Sequence, residues 1–304
     1  MEVEIWKRIL CAVIVTFIGI SYGLFLGGVS RKLTARMQNR RGPSIWQNFF
    51  DVWKLFRKKS LISHGVMYYL GPVFRFIGGV GMILLIPITL HGPCFTNFSF
   101  IGDLFVILYF MFLGCLGMAL GAGESGHPHA VIGVSRGLAL MTANELPFIL
   151  AVVTIMASTG STSLKDIIIA QHGGILHWNL IRHPFASAAA FLSFLGMMGS
   201  YPFSVVLAPQ EIPVGPPTEY SSTHLSFMFS GRSVFAVAKY LLFMDLFLGG
   251  AANVLVALVK TFVIFLWPLF ITDVFPRYRL EQAVRFFWII PTLLGLTGLL
   301  IAIF

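Results

Sequence analysis

Eight apolar runs of roughly bilayer length dominate this sequence and leave few options for the fold. They lie at about residues 9 to 29, 66 to 90, 100 to 121, 130 to 157, 185 to 206, 233 to 249, 251 to 272 and 286 to 304. A helix needs about 20 apolar residues to cross a hydrocarbon core. Inside lipid every backbone N–H and C=O must be satisfied within the protein, so such runs become helices. Only 11% of the 304 residues are charged and 57% are hydrophobic, whereas about a quarter of a soluble domain is charged. The expected fold is an all-α integral membrane protein, a single polytopic domain over residues 1–304 with about eight transmembrane helices. The boundary at Gly249 and Gly250 is open, because one bent helix plus a shorter segment has nearly the same pattern as two spans. No small-residue cleavage site follows the first run, so the first helix is expected to stay.

Charge sets the expected orientation. The net charge is +9, and nine of the 21 basic residues fall between Arg31 and Lys59: Arg31, Lys32, Arg36, Arg40, Arg41, Lys54, Arg57, Lys58 and Lys59. With eight spans this loop shares one side with the loops after spans 3, 5 and 7, and the positive-inside rule makes that side cytoplasmic, with both termini outside. Because topology accounts for the basic excess, nucleic-acid binding is not needed to explain it. Cys11, Cys94 and Cys115 show no CxxC spacing, so neither a disulfide framework nor a set of iron–sulfur or zinc ligands is expected. His127 and His129 alternate in a Gly/Pro turn, but two imidazoles without further ligands are weak support for a metal site.

Two cytoplasmic segments stand out. The first, residues 31–64, carries Trp46, Phe49, Phe50, Trp53 and Phe56 at three- and four-residue spacing, the pattern of an amphipathic helix. Such a helix lies in the headgroups, bears a cytoplasmic partner, or does both. The second, residues 202–232, contains Pro209, Pro213, Pro216 and Pro217, which break a regular helix, and its acids are Glu211 and Glu219. It is either a solvated connector or a functional loop folded back on the bundle.

Charges inside spans need partners or water. Arg75 and Asp103 lie where a long side chain or a nearby helix end gives access to water. Arg136 and Glu145 are nine residues apart in span 4, hence on opposite faces and about 13–14 Å apart along the axis. Each therefore needs a partner from another helix, and Pro147 frees a backbone carbonyl close to Glu145. Lys239, Asp245 and Lys260 lie in the sixth and seventh runs, the kind of lateral series from which proton relays are built, unless they form an isolated buried pair. The external segment between Ser158 and Pro184, with Lys165, Asp166, His172, His177 and His183, is expected to be solvated or partner-covered and carries no assigned chemistry.

Four motifs occur in one order: ARMQNRRGP followed by WQNFFDVWKLF, GVSRGLALMTANELP, then PF with Glu211, Gly215 and EYS, and finally FPRYRLEQ. Together they resemble the membrane-subunit family shared by energy-converting (group 4) [NiFe] hydrogenases and respiratory complex I, where it is the quinone-site H-type subunit. The short spacing from RRGP to Asp51 and Lys54, and Lys239 where complex I commonly has Glu, favour the hydrogenase-type version. Ser204, Leu207 and Pro209 stand where the family has or often has acids, which thins the acidic loop. The resemblance implies a proton pathway through Glu145, Arg136, Glu124, Glu211, Glu219, Lys239, Asp245 and Lys260. It implies a partner interface at Arg36, Arg40, Arg41, Gly42, Pro43, Asp51, Lys54, Arg277, Arg279 and Glu281.

The implied role is that of a non-catalytic subunit in the plasma membrane of a prokaryotic cell, linking cytoplasmic redox chemistry to proton or Na⁺ translocation. Its implied partners are a hydrogenase-like large subunit, an Fe–S small subunit and antiporter-like membrane subunits. This chain holds no cofactor; Fe–S clusters and a NiFe centre belong to the partners. A quinone-binding subunit of a complex I-like dehydrogenase is the nearest alternative, and a stand-alone secondary transporter is one of another class.

Overall fold

The structure, a computed structural model, describes residues 2–60, 64–90, 95, 96, 98–206, 212 and 215–304, with side chains from Trp6 onward. The described residues form eleven α-helices and no strand. They are α1 (Glu2–Met37), α2 (Gln47–Phe56), α3 (Val66–Leu85), α4 (Asp103–Glu124), α5 (Pro128–Thr159), α6 (Leu164–Ala170), α7 (Asn179–Arg182), α8 (Pro184–Met198), α9 (Ser222–Phe247), α10 (Val254–Val274) and α11 (Leu280–Ile303).

Every apolar run coincides with a helix, and seven of these helices are long and apolar enough to cross a membrane. The fifth differs: α8 has only 15 residues, about 22 Å, because Gly199 caps it in the left-handed region at φ 63 and Pro202 follows. The Gly249–Gly250 boundary resolves into two helices. Both glycines have positive φ, 69 and 60, a conformation that costs a side chain but not glycine, and α10 starts only at Val254. Two expected loops are shorter than their sequence boundaries. Helix α1 continues to Met37, so the start of segment 31–64 is helical, and α9 begins at Ser222, inside segment 202–232.

Small residues let helices approach closely. A Cβ placed on Gly78 would lie 2.8 Å from backbone atoms of Gly114, and one on Gly71 would lie 2.8 Å from the Cα of Gly121, so α3 and α4 meet backbone to backbone. Helix α9 is the most buried of the long helices; α1, α2, α3 and α10 all pack against it. Helix α2 docks one face on the bundle. The Asn48 side-chain amide donates to the Leu24 carbonyl at 3.1 Å, Ser226 Oγ to the Val52 carbonyl at 3.1 Å, and Phe56 packs edge-on against Phe227. Its other face leaves Phe50 and Trp53 exposed.

The connections carrying most of the basic charge gather at one end. Ser222 Oγ donates to the Lys59 carbonyl, and the Tyr278 amide to the Pro202 carbonyl at 2.8 Å. Phe203 packs among Tyr278, Phe286 and Phe287.

At the other end two expectations are corrected. The segment between Ser158 and Pro184 is not a solvated connector at its centre: α6 buries Leu164, Ile167 and Ile168, and Gln171 and Asn179 are buried with it. Sequence spacing missed this because the polar side chains satisfy helix ends distant in the chain. Asp103 does not reach water either; it is fully buried and accepts from the Leu164 amide and Ser99 Oγ, at 2.8 and 2.7 Å. Cys11 is disulfide-bonded, against the expectation of no bridge, while Cys115 is free.

Candidate functional site

Helix α9 carries its charges at successive depths. Counted from Ser222 at 1.5 Å per residue, Arg232, Lys239 and Asp245 lie about 15, 25 and 35 Å along it. Lys239 is buried; its Nζ donates to the Met197 carbonyl and stands 4.6 Å from the centre of the Phe235 ring. Glu145, half-buried on α5, lies within coulombic reach of it. Each of the two is 17 residues past the start of its own helix. The sequence-predicted Glu145 and Lys239 thus stand within electrostatic reach of each other, without an ion pair between them among the described residues, whereas Arg136 sits elsewhere on α5, half-buried.

The second such approach occurs at the break between α9 and α10. Asp245 is fully buried, and neither carboxylate oxygen has a hydrogen-bond partner among the described residues. Lys260 is the opposite charge that acts on it. The Lys260 ammonium donates to the Leu248 and Gly250 carbonyls at 2.6 and 2.7 Å and lies 4.5 Å from the Trp178 ring centre. Gln171 closes the break: its amide donates to the Asp245 carbonyl at 2.9 Å, and its oxygen accepts from the Gly249 and Asn179 amides at 3.0 and 3.1 Å. The Asn179 side chain donates to the Leu246 carbonyl at 2.8 Å. Gln171 and Asn179 gave no signal in sequence, since single amides in a loop carry no periodicity.

At the basic end, Glu219 and Tyr220 of the proline-rich segment pack against the bundle. Tyr220 stacks on Tyr68 with ring centres 4.5 Å apart and donates to the Tyr68 carbonyl at 3.2 Å. Tyr68 donates its hydroxyl to the Glu219 carbonyl at 2.9 Å. The Glu124 carboxylate accepts from the Tyr68 amide, and Glu219 faces His64 at 3.5 Å. Burial, then the neighbouring Tyr68 and Glu124, pushes the Tyr220 phenol well above its ordinary value, so it remains a donor. Glu124 and Glu219 are thus brought to one cluster, which His64 joins although sequence reasoning passed over it. Glu211 lies outside the described residues.

The expected interface residues line this same end. Asp51 is held by Arg31 at 3.2 Å and by the Gln47 amide at 2.9 Å, so it shapes the loop from within. Gly42 lies so close to α1 that a Cβ there would be 2.9 Å from that of Ala35. Arg36, Arg40, Arg41, Pro43, Lys54, Arg279 and Glu281 are exposed, and Arg277 is half-buried.

A cavity of about 800 Å³ runs from Arg40 and Arg41 at this end past Leu24 and Phe229 to Lys239 and Phe265. A second, of about 220 Å³, lies between α4, α5 and α9, and Arg75, Arg232 and Lys239 border both. Arg232 was missed because its position falls in what reads as the end of a polar loop.

Relatives of this chain are numerous. The chain is 33% identical over 225 residues to hydrogenase-4 component C of Escherichia coli (strain K12), covering 73% of this chain and 69% of that protein. It is 28% identical over 307 residues to the H-type subunit of NADH-quinone oxidoreductase from Mesorhizobium japonicum, covering 91% and 87%. Among solved structures it matches a chain of the membrane-bound sulfane sulfur reductase, an archaeal respiratory membrane complex, with TM-score 0.90 and 29% identity over 97% of this chain and 99% of that one. Residues 9–303 match the sequence profile described as NADH dehydrogenase, and with nearly its whole length covered the chain belongs to that family.

Proposed function

We propose that this chain is the ion-coupling membrane subunit of a multi-subunit energy-converting complex of the hydrogenase type. The carrying observation is that two acids inside the bundle each stand within electrostatic reach of a lysine, Glu145 of Lys239 and Asp245 of Lys260, with Lys239 and Asp245 both buried on α9. Ionisable groups are expensive in hydrocarbon and mark ion routes. A group able to change its protonation beside an opposite charge can accept and release a proton as that charge changes. Glu124, Glu219 and His64 form the entry side of the route, and the two buried pairs form its interior.

The likeness to hydrogenase-4 component C and to a respiratory reductase chain supports attachment to redox partners. In this reading the exposed arginines around Gly42 and Pro43, with Arg277, Arg279 and Glu281, seat a hydrogenase-like large subunit and an Fe–S small subunit on the cytoplasmic face. Antiporter-like subunits adjoin within the membrane. The Fe–S clusters and the NiFe centre reside in the partners, the basic end faces the cytoplasm, and both termini lie outside the plasma membrane.

The test is Glu145→Gln in the assembled complex. Redox turnover should continue while ion uptake into inverted vesicles is lost; uptake still coupled to turnover would remove Glu145 from the route. Quinone binding is the second reading, favoured by the cavity that runs from the basic end to Lys239. Block of turnover by quinone-site inhibitors would select it.

A further inference from the structure

The α9–α10 break gathers oxygen atoms around one point. A helix leaves its last carbonyls without partners, and its C-terminus carries partial negative charge. Here Gly249 and Gly250, at φ 69 and 60, turn the chain just past the end of α9. The Leu248 and Gly250 carbonyls then converge on a single atom, the Lys260 Nζ, at 2.6 and 2.7 Å. The Asp245 carboxylate stands beside them, with Oδ1 3.4 Å from where a Cβ on Gly250 would lie. Asp245 is fully buried, and its two oxygens accept no hydrogen bond from any described residue, the Lys260 ammonium included. Asp245 and Lys260 line neither of the two cavities.

Carbonyls at an unwound helix end are the groups that coordinate Na⁺ in membrane sites built on broken helices. With a carboxylate added, every donor is a hard oxygen, which suits an alkali or alkaline-earth cation and not a transition metal. The charge selects a monovalent ion, because the carbonyls already hold one positive charge, the Lys260 ammonium, against the face of Trp178 at 4.5 Å. That ammonium is tied to α10 by its stem and leaves the carboxylate unsatisfied. A free cation has no stem and can touch the carbonyls and the carboxylate together. Lys260 is half-buried, so its head can withdraw, whereas Asp245 has no exposed surface to turn to. We propose that the α9–α10 break is a Na⁺ site, with the Asp245 carboxylate and the Leu248 and Gly250 carbonyls as ligands and the Lys260 ammonium as a tethered competitor. The site rests on the ion-coupling reading only in that the bound ion then lies on the route.

The assembled complex, washed free of Na⁺ in choline buffer, is equilibrated with radiolabelled Na⁺ at constant ionic strength and without redox turnover. The wild-type complex should bind more Na⁺ than Asp245→Asn. Lys260→Met should bind it at least about tenfold more tightly than the wild type, because the competing ammonium is gone. Adding Asp245→Asn to Lys260→Met should abolish that gain. Excess unlabelled Na⁺ should displace the label, and excess K⁺, a larger ion, should displace far less. If Lys260→Met does not assemble, Lys260→Gln takes its place. Na⁺ sites on partner subunits contribute equally to every variant and drop out of the comparison. Equal binding by the wild type and Asp245→Asn, no gain in the Lys260 variant, or equal displacement by K⁺ would each overturn the proposal. Glu145→Gln lies outside this site and is read by ion uptake during turnover, so the two readings fail separately.

Discussion

Lys260 holds two backbone carbonyls at the α9–α10 break while serving as the opposite charge that acts on Asp245. Replacing it with Met strands a fully buried carboxylate, and losing one partner of a buried pair costs about 3–5 kcal/mol. Lys260→Met is therefore expected to lower the thermal stability of the purified complex sharply, and adding Asp245→Asn to it should recover most of the loss. A double variant no better than the single one would mean that the two residues do not act as a pair. Sequence alone places both residues in spans but does not pair them. They sit 15 residues apart across a helix break, where the period of a single helix no longer applies.

Gln171 belongs to the scale of elements, since it joins the α6 region to both sides of the α9–α10 break through the Asp245 carbonyl and the Gly249 and Asn179 amides. Gln171→Ala leaves buried backbone groups without partners, at about 1–3 kcal/mol each. The expected loss is about 2–4 kcal/mol, seen as a lower unfolding temperature and faster amide exchange over residues 245–253. The α3–α4 contact makes a sharper demand: a side chain on Gly78 meets the Gly114 backbone and the Phe110 carbonyl, atoms that cannot rotate away. Gly78→Ala should destabilise by about 1–3 kcal/mol, and Gly78→Leu should prevent accumulation of the subunit in membranes. A Gly78→Leu protein that accumulates normally would show that the helices are free to separate.

For the whole molecule the testable property is orientation. Ser44 and Lys165 are exposed on opposite ends of the bundle. A membrane-impermeant thiol reagent should label Ser44→Cys only in inverted vesicles and Lys165→Cys only in intact cells. The reverse pattern would turn the basic end outward and undo the docking of cytoplasmic redox partners there. That the crossing elements are helices was legible in the sequence, because hydrocarbon thickness sets the run length and unsatisfied backbone excludes anything but helix; their number was not quite, since eight runs were expected to cross and the fifth forms only the 15-residue α8. The basic end was legible too, from the crowding of charge between Arg31 and Lys59. What faces what was not legible: helices apolar on all sides carry little periodicity to mark the inward face. Only tertiary packing brings Glu145 within electrostatic reach of Lys239 and folds Gln171 onto the break after Asp245. These groups come from helices far apart in the chain, and their energies depend on the partners that packing supplies.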